Sequence, residues 1–206
     1  MGLLGSIFGK GKEQPTANSI RETLFGDRPL DEWPPANLDA NEFPWIAFAS
    51  ARSHLAGGNQ TAAIDCWEQI VGTPDLEPRQ YLQAWHFLRQ NGKEPAPDIA
   101  KQVLGVVVEV GMPKGLDLLA AYSDHSARYY NFSGAGVVWE RPDDSLDSSI
   151  DQLHAAAKVI VDKIGPWKES RPAPPSSDQA RLCFLTPSGL HFGQAPMSVM
   201  SSDPMA

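Results

Sequence analysis

The stretch LDLLAAYSDHSARYYNFSGAGVVWE, residues 116–140, decides the fold. Apolar and aromatic residues fill three short segments of it, and SDHS and NFSG separate those segments. Asp, Asn, Ser and Gly favour tight turns because they hydrogen-bond locally or accept left-handed backbone geometry. The stretch therefore predicts a three-stranded antiparallel meander with turns near Asp124 and Ser133. Its first strand is apolar at both alternating positions, so we expect both faces of that strand to be buried.

A long amphipathic helix is predicted directly after this meander. Apolar residues recur there at three- and four-residue steps, which places them on one helical face. Gly165 and Pro166 end the pattern. Two short, largely apolar segments at 181–185 and 190–192 then flank a turn at 186–189, which predicts a final hairpin. The helical stripe consists of Leu146, Ile150, Leu153, Ala157, Ile160 and Ile164.

Helical patterns precede the meander. Three segments, at about 44–56, 60–71 and 78–91, each end at glycine and carry apolar residues at helical spacing. A fourth is predicted from Pro97 to Val110, where Ile99, Val103 and Val106 continue the spacing. Its second half, Gly105–Val110, is rich in β-branched valine, so a strand remains the alternative there.

The first two predicted helices resemble one tetratricopeptide repeat. The resemblance rests on Ala51, Gly58, Ala63, Trp67 and Pro74, which fall at the small, turn, small, aromatic and proline positions of that repeat. It covers about one repeat of roughly 34 residues. It implies an antiparallel helical hairpin whose helices approach closely at their small residues.

These elements together predict an α+β fold. N-terminal helical hairpins pack on a small antiparallel sheet of order β-β-β-α-β-β with one long helix. The chain divides into an irregular segment at 1–42, a helical region at 43–111 and an α/β region with the antiparallel sheet at 112–206.

Composition excludes several classes of function. The formal net charge is −8 and the isoelectric point is about 5.0, so a broad basic surface for nucleic acid is not expected. Cys66 and Cys183 are too few and too far apart for a disulfide framework or a zinc motif. Their number suits a reducing compartment, so we expect a cytoplasmic protein. No metal motif is present, because His54, His86 and His154 lie on separate predicted helices without the spacing of metal ligands. No cofactor motif is present either, because neither glycine pair, 134/136 or 189/193, precedes a helix that would hold phosphate.

The N-terminus offers a membrane alternative. Leu3, Leu4, Ile7 and Phe8 form a short apolar run, and Gly2 with Ser6 satisfies a short myristoylation pattern. The run is too short for a signal peptide, and a single acyl chain anchors a protein only marginally. Contact of this segment with a membrane is therefore the less favoured expectation.

Catalytic candidates are weak. Asp124 and His125 lie between Ser123 and Ser126, which brings a carboxylate, a base and two hydroxyls together in sequence. A tight turn rarely aims three such side chains at one atom, so the turn interpretation is favoured. His191 is the second candidate base, with Asp124 or Glu140 across the sheet as its acidic partner.

The meander also carries the best candidates for a binding surface. Arg128 and Tyr130 point to one face of the second strand, while Tyr129 and Asn131 point to the other. Together with Trp139 they provide aromatic and polar groups of the kind enriched at protein interfaces. The competing interpretation is that neighbouring helices cover these aromatic residues and make them core.

We therefore expect a non-enzymatic protein that binds an unknown protein partner through its helical hairpins or its exposed sheet face. A small hydrolase-like enzyme with a histidine base is the first alternative. A peripheral membrane-associated factor is the second. Convergence of His191, Asp124 and a serine hydroxyl in one pocket favours the enzyme, and a continuous apolar groove between helices favours the binding protein.

Overall fold

The computed structural model describes residues 17–35 and 40–202, and within them the fold is mixed α+β. An N-terminal helical part precedes a single antiparallel sheet, and one longer helix interrupts the run of strands, as predicted. The helices are α1 (Ala17–Arg21), α2 (Trp45–Ala56), α3 (Gln60–Val71), α4 (Pro78–Gln90), α5 (Asp147–Lys163) and α6 (Met197–Met200), with a 3-10 turn at Leu30–Glu32.

The sheet contains six strands, all antiparallel to their neighbours. The first strand along the chain lies in the middle of the sheet, and the order across the sheet is β4-β3-β2-β1-β5-β6. The strands are β1 (Gly105–Met112), β2 (Gly115–Tyr122), β3 (Ala127–Tyr130), β4 (Gly136–Trp139), β5 (Gln179–Thr186) and β6 (Gly189–Pro196).

The predicted fourth helix is wrong. Residues 97–101 form only turns, and Gly105–Met112 is the central strand β1. Three- and four-residue spacing of valines is ambiguous when the residues are β-branched, and pairing with β2 and β5 on both sides favours the strand. The predicted β-β-β-α-β-β order thus gains one strand at its start.

The predicted meander is confirmed. β2, β3 and β4 pair in sequence, and their turns include Asp124 and Ser133. The expected two-sided burial of β2 holds only near Ala120 and Ala121, because Leu119 is 39% exposed. The α5 side of the sheet is therefore covered at one end of β2 and open at the other.

The long helix α5 is also confirmed, with a small shift of its buried face. Ile150, Ala157 and Val161 are its buried residues, while Ile160 is only partly buried. Ala157 and Val161 pack on Val106 and other residues of the sheet. The sequence pattern identified the helix and placed Ile150 and Ala157 on its buried face, but it missed Val161.

Helices α2, α3 and α4 build a second core around Trp67 and Phe87, whose ring centroids are 5.3 Å apart. Ala51 and Ala63 are fully buried in this cluster, as the small positions of a closely packed hairpin require. Asn59 caps α3 by accepting a hydrogen bond from the backbone of Ala62.

The face of the sheet opposite α5 is covered by the N-terminal segment and α4. Leu24 and Phe25 pack with Leu82 of α4 on residues of β2 and β5. Gly26 has φ +63°, and a Cβ built there would lie 2.7 Å from Cβ of Leu82, so only glycine fits this close crossing.

A buried charge network fixes this segment to the sheet. Glu109 of β1 is fully buried and accepts hydrogen bonds from Arg21 of α1 and Arg181 of β5, the latter at 2.9 Å. Both arginines also donate to the backbone carbonyl of Pro172, at 2.8 and 3.4 Å. The network therefore joins α1, the centre of the sheet and the loop after α5.

Candidate functional site

The SDHS cluster is a tight turn, as the favoured interpretation predicts. His125 has φ +65°, the left-handed geometry of such a turn. Asp124 uses Oδ1 to accept hydrogen bonds from the backbone and the hydroxyl of Ser126, at 3.0 and 2.7 Å. Asp124 therefore stabilises its own turn.

The ring of His125 belongs to a surface network with α5. Its Nε2 lies 2.9 Å from Oδ1 of Asp151, and its Nδ1 lies 3.2 Å from Nη2 of Arg141. Arg141 donates in turn to Asp147 at 2.8 Å. These contacts tie the β2–β3 turn to the first turns of α5, and none of them involves a hydroxyl nucleophile.

His191 is fully buried in β6 and lies near a serine hydroxyl, because its Nε2 is 3.3 Å from Oγ of Ser188. Burial lowers the pKa of His191, and the charge of Lys101 lowers it further. Its Nδ1 is buried without a well-formed hydrogen bond, and neither Asp124 nor Glu140 pairs with it. A serine–histidine pair that no carboxylate orients lacks the third member of a hydrolytic triad.

The predicted binding residues of β3 fall on both faces of the sheet. Arg128 donates to Glu140 at 3.3 Å, and its Nε is buried without an acceptor. Tyr130 is partly buried against the core on that same face, and its ring crosses Gly136 of β4. This side of β3 is thus largely occupied by packing within the chain.

On the α5 side, Tyr129 donates to Asp117 at 3.0 Å, and this hydrogen bond raises its pKa. Asn131 accepts from the backbone and hydroxyl of Ser133 and so shapes the β3–β4 turn. Trp139 packs partly buried beside Ile150 of α5. The five predicted residues therefore do not form one continuous surface, and their role in binding stays a prediction.

An exposed apolar surface near these residues was missed from the sequence. Leu119, Phe132, Val137 and Val138 are 39%, 43%, 49% and 46% exposed, and together they are called the β4-edge patch here. Leu119 and Val137 flank Tyr129 in register on the α5 side, one row beyond the residues that α5 covers. Two adjacent valines in a short strand were the available signal, since one of them must face away from any one-sided core.

A cleft lies where α4 meets the β5–β6 turn. Its volume is about 290 Å³, and the N-terminal segment and the loop after α5 complete its walls. It was also missed, because its residues come from four distant parts of the chain. Its polar lining includes Asp27, His86, Arg89, Arg171, Thr186 and Ser188.

Burial explains the electrostatics of the two α4 residues in this cleft. Burial lowers the pKa of His86, although the charge of Asp27 acts in the opposite direction. Burial likewise lowers the pKa of Arg89, partly offset by Glu94 and Asp27. The ring of His86 is therefore neutral at pH 7, while the guanidinium of Arg89 keeps its charge.

Two other predictions concern features at the margins of the fold. The apolar run Leu3, Leu4, Ile7 and Phe8 lies outside the described residues. Among the described helices, none is long and apolar enough to cross a membrane. Within the same part of the chain, no group of three or more His, Cys, Asp or Glu residues is placed to hold a metal ion.

No family model matches the chain, and neither the curated proteins nor the solved structures include a significant match. The tetratricopeptide resemblance of the α2–α3 hairpin stays a prediction.

Proposed function

We propose that this protein is a non-enzymatic interaction module that binds a partner protein at the outer edge of β4. The partner contributes an extended segment, which pairs with β4 and covers the β4-edge patch. Tyr129 lies on the neighbouring strand and contacts the partner's side chains from the α5 side of the sheet.

The observation that carries the proposal is a sheet edge that no described element covers. β4 is the last strand of the sheet, and no other described element pairs with its outer side. Natural edge strands are usually protected by shortness, lysine, proline, a bulge or a covering segment; Gly136–Trp139 is short but contains neither lysine nor proline. At the other edge, by contrast, the backbone of Trp167 donates to Leu190 of β6 at 2.6 Å.

Strand addition suits this edge physically. An added strand gains backbone hydrogen bonds, and the alternating side chains of the edge supply the specificity. Val137 and Val138 point to opposite faces, so a partner strand meets an apolar side chain on either side of the sheet. β4 is only four residues long, so contacts with Leu119 and Phe132 must add to the few backbone bonds.

The charges after β4 define the partner further. Glu140 is exposed, and Asp143 and Asp144 follow it at the start of the loop to α5. Hydrogen bonds from Ser145 lower the pKa of Asp143, which favours its charged form. An acidic flank beside an apolar edge favours a partner segment with alternating apolar residues followed by basic ones.

The test compares two valines of equal exposure. Val137 is 49% exposed on β4, and Val159 is 51% exposed on α5. Tagged wild-type protein, Val137→Lys and Val159→Lys are used to capture partners from the native host. We expect one partner that wild-type protein and Val159→Lys retain and that Val137→Lys loses, and we expect higher salt to weaken its capture.

Two outcomes contradict the proposal. Capture that is equal with all three proteins places the interface elsewhere. A wild-type dimer in light scattering that Val137→Lys converts to monomer assigns the edge to a second copy of the chain instead. Circular dichroism of both variants verifies that the fold persists.

We also propose a cytoplasmic location. Cys66 and Cys183 are both free thiols, and burial raises the pKa of each, as does the nearby acidic residue, Asp65 or Glu109. Unpaired cysteines are typical of proteins that work in a reducing compartment.

A further inference from the structure

We infer that the cleft between α4 and the β5–β6 turn is a binding site for a small organic anion. Its oxyanion, a phosphate or a carboxylate, lies against Arg89, and its apolar part rests on the floor of the cleft. The site is separate from the β4 edge and does not depend on the function proposed there.

Arg89 is the first observation. Its Nη1 donates to the backbone carbonyl of Pro187, and it forms no salt bridge with any carboxylate of the described residues. Most other arginines in the same part of the chain, such as Arg21, Arg128 and Arg181, pair with a carboxylate. A partly buried guanidinium with unused donors is a specific site for a planar or tetrahedral oxyanion.

Arg171 is an independent second observation. Its side chain is only 10% exposed, and its Nε and Nη2 donate to Asp27 and Glu22 at 2.7 and 2.6 Å. Its Nη1 is buried without any acceptor in the described structure. An unsatisfied buried donor is costly, so this cleft-lining arginine lacks one acceptor oxygen.

Neutral hydrogen-bonding groups complete the polar wall. His86 lies one helical turn before Arg89 and makes no hydrogen bond within residues 17–35 and 40–202, so its neutral ring offers a donor and an acceptor. Ser188 lines the facing turn, where its Oγ lies 2.9 Å from Oγ1 of Thr186 and 3.3 Å from Nε2 of His191. Gly189 follows with φ +122°, and a Cβ built there would lie 3.8 Å from Nε of Arg89, so glycine keeps this wall open.

The cleft also has apolar lining residues. Leu82, Leu185 and Leu190 line it, and Trp167 stands at its mouth, 41% exposed and packed edge-on against Phe192 at 5.2 Å. These apolar side chains give the bound molecule a hydrophobic contact beside the polar and charged groups of the lining. The volume of about 290 Å³ admits only a small ligand.

Neighbouring cations partly offset the acidic residues of the cleft. Asp27 is neutralised by Arg171, with both its carboxylate oxygens in contact. Glu169 lies exposed at the rim beside Lys168. Arg89, which pairs with no carboxylate of the described residues, therefore supplies positive charge to the cleft in a protein whose net charge is −8.

The experiment titrates the full-length protein with inorganic phosphate and, separately, with acetate, against chloride at constant ionic strength. Nitrogen-detected NMR follows the Nε–H resonances of the arginine side chains. We expect saturable shifts of the Arg89 and Arg171 resonances with one or both anions, and the anion that binds identifies the ligand's group. Arg89→Gln should weaken that binding roughly tenfold or more, the cost of one charge-assisted hydrogen bond.

Arg52 supplies the matched control. Its guanidinium also donates only to a backbone carbonyl, that of Trp33 at 3.4 Å, and it lies away from the cleft. Arg52→Gln should leave the titration unchanged. Ser188→Ala tests the facing wall without removing charge, and should weaken binding by a smaller factor than Arg89→Gln. Equal loss in Arg52→Gln, or wild-type resonances that respond no more to phosphate and acetate than to chloride, overturns the inference.

Discussion

At the scale of single residues, Glu109 is a fully buried carboxylate that depends on two arginine partners. It is fully buried in the central strand, and its two arginine partners come from positions 88 and 72 residues away in sequence. A buried carboxylate persists only when its partners compensate the loss of water. Cys183 lies beside it, with its Sγ 3.8 Å from Oε2, so the site accepts only a small neutral neighbour there.

Removing this carboxylate should be strongly destabilising. Glu109→Ala leaves Arg21 and Arg181 buried without their shared counter-charge, and we expect a loss of about 3–5 kcal/mol in the free energy of unfolding. Urea denaturation measures it. Glu68→Ala is the control, because Glu68 forms a half-exposed pair with Lys93 at 3.2 Å and should cost about 1 kcal/mol or less. Similar midpoints for the two variants would show that the network contributes little to stability.

At the scale of elements, α5 shows how a helix covers a sheet only in part. Its buried residues Ile150, Ala157 and Val161 lie over one row of the sheet, and the neighbouring row around Leu119 and Val137 stays exposed. The exposed row that suits a partner is therefore a consequence of where α5 crosses.

Two valines on α5 test this geometry. Val161 is fully buried against Val106 and Phe184, whereas Val159 is 51% exposed. Val161→Ala should lower the free energy of unfolding by about 1–3 kcal/mol, because it removes buried methyl groups and leaves a cavity. Val159→Ala should change it by no more than about 0.5 kcal/mol. Thermal or urea unfolding measures the stability of both variants. A larger loss for Val159→Ala than for Val161→Ala would show that the buried face of α5 is assigned wrongly.

The elements were largely predictable from the sequence because their signals are local. Glycine stops, the Asn59 cap and the turn residues around Asp124 act within a few positions of the chain. The helix prediction for Gly105–Val110 was wrong for a physical reason. Its valines fit either periodicity, and the deciding contribution, pairing with β5, comes from far along the chain.

At the scale of the whole molecule, the buried His191 and the partly buried His86 and His154 couple stability to pH. The pKa values of His86, His154 and His191 are all lowered, in each case mainly by burial. These rings take up protons more readily when the chain unfolds than when it is folded. Below the unfolded pKa of about 6.5 the unfolded chain therefore binds more protons, and the free energy of unfolding rises with pH.

We expect the urea concentration at the unfolding midpoint to decrease as the pH is lowered from about 7.5 to about 5.5. Above about pH 7 it should be nearly constant. Each histidine contributes at most about 1.4 kcal/mol per pH unit in this window. His191→Asn should reduce the slope, because one buried titrating ring is removed. A midpoint that rises on acidification would contradict the direction assigned to these histidines.

The candidate sites were less predictable than the fold, because they depend on the assembled molecule. Asp124 and His125 were identified as a turn from their own preferences, yet the pairing of His125 with Asp151 depends on how α5 lies. The cleft at Arg89 joins α4 to the β5–β6 turn, and no local pattern links residues 98 positions apart. The exposure of Val137 likewise depends on which row α5 covers.

The strand order also implies an order of assembly. β1 to β4 form a meander of adjacent hairpins, and β5 and β6 form a hairpin of their own. A single pairing, β1 with β5, joins these two pieces, and it closes the chain between Val110 and Ala180. Closing so long a loop is entropically costly and slow compared with forming a hairpin. We therefore expect this seam to close last during folding, and Glu109 to receive its second arginine only at that step.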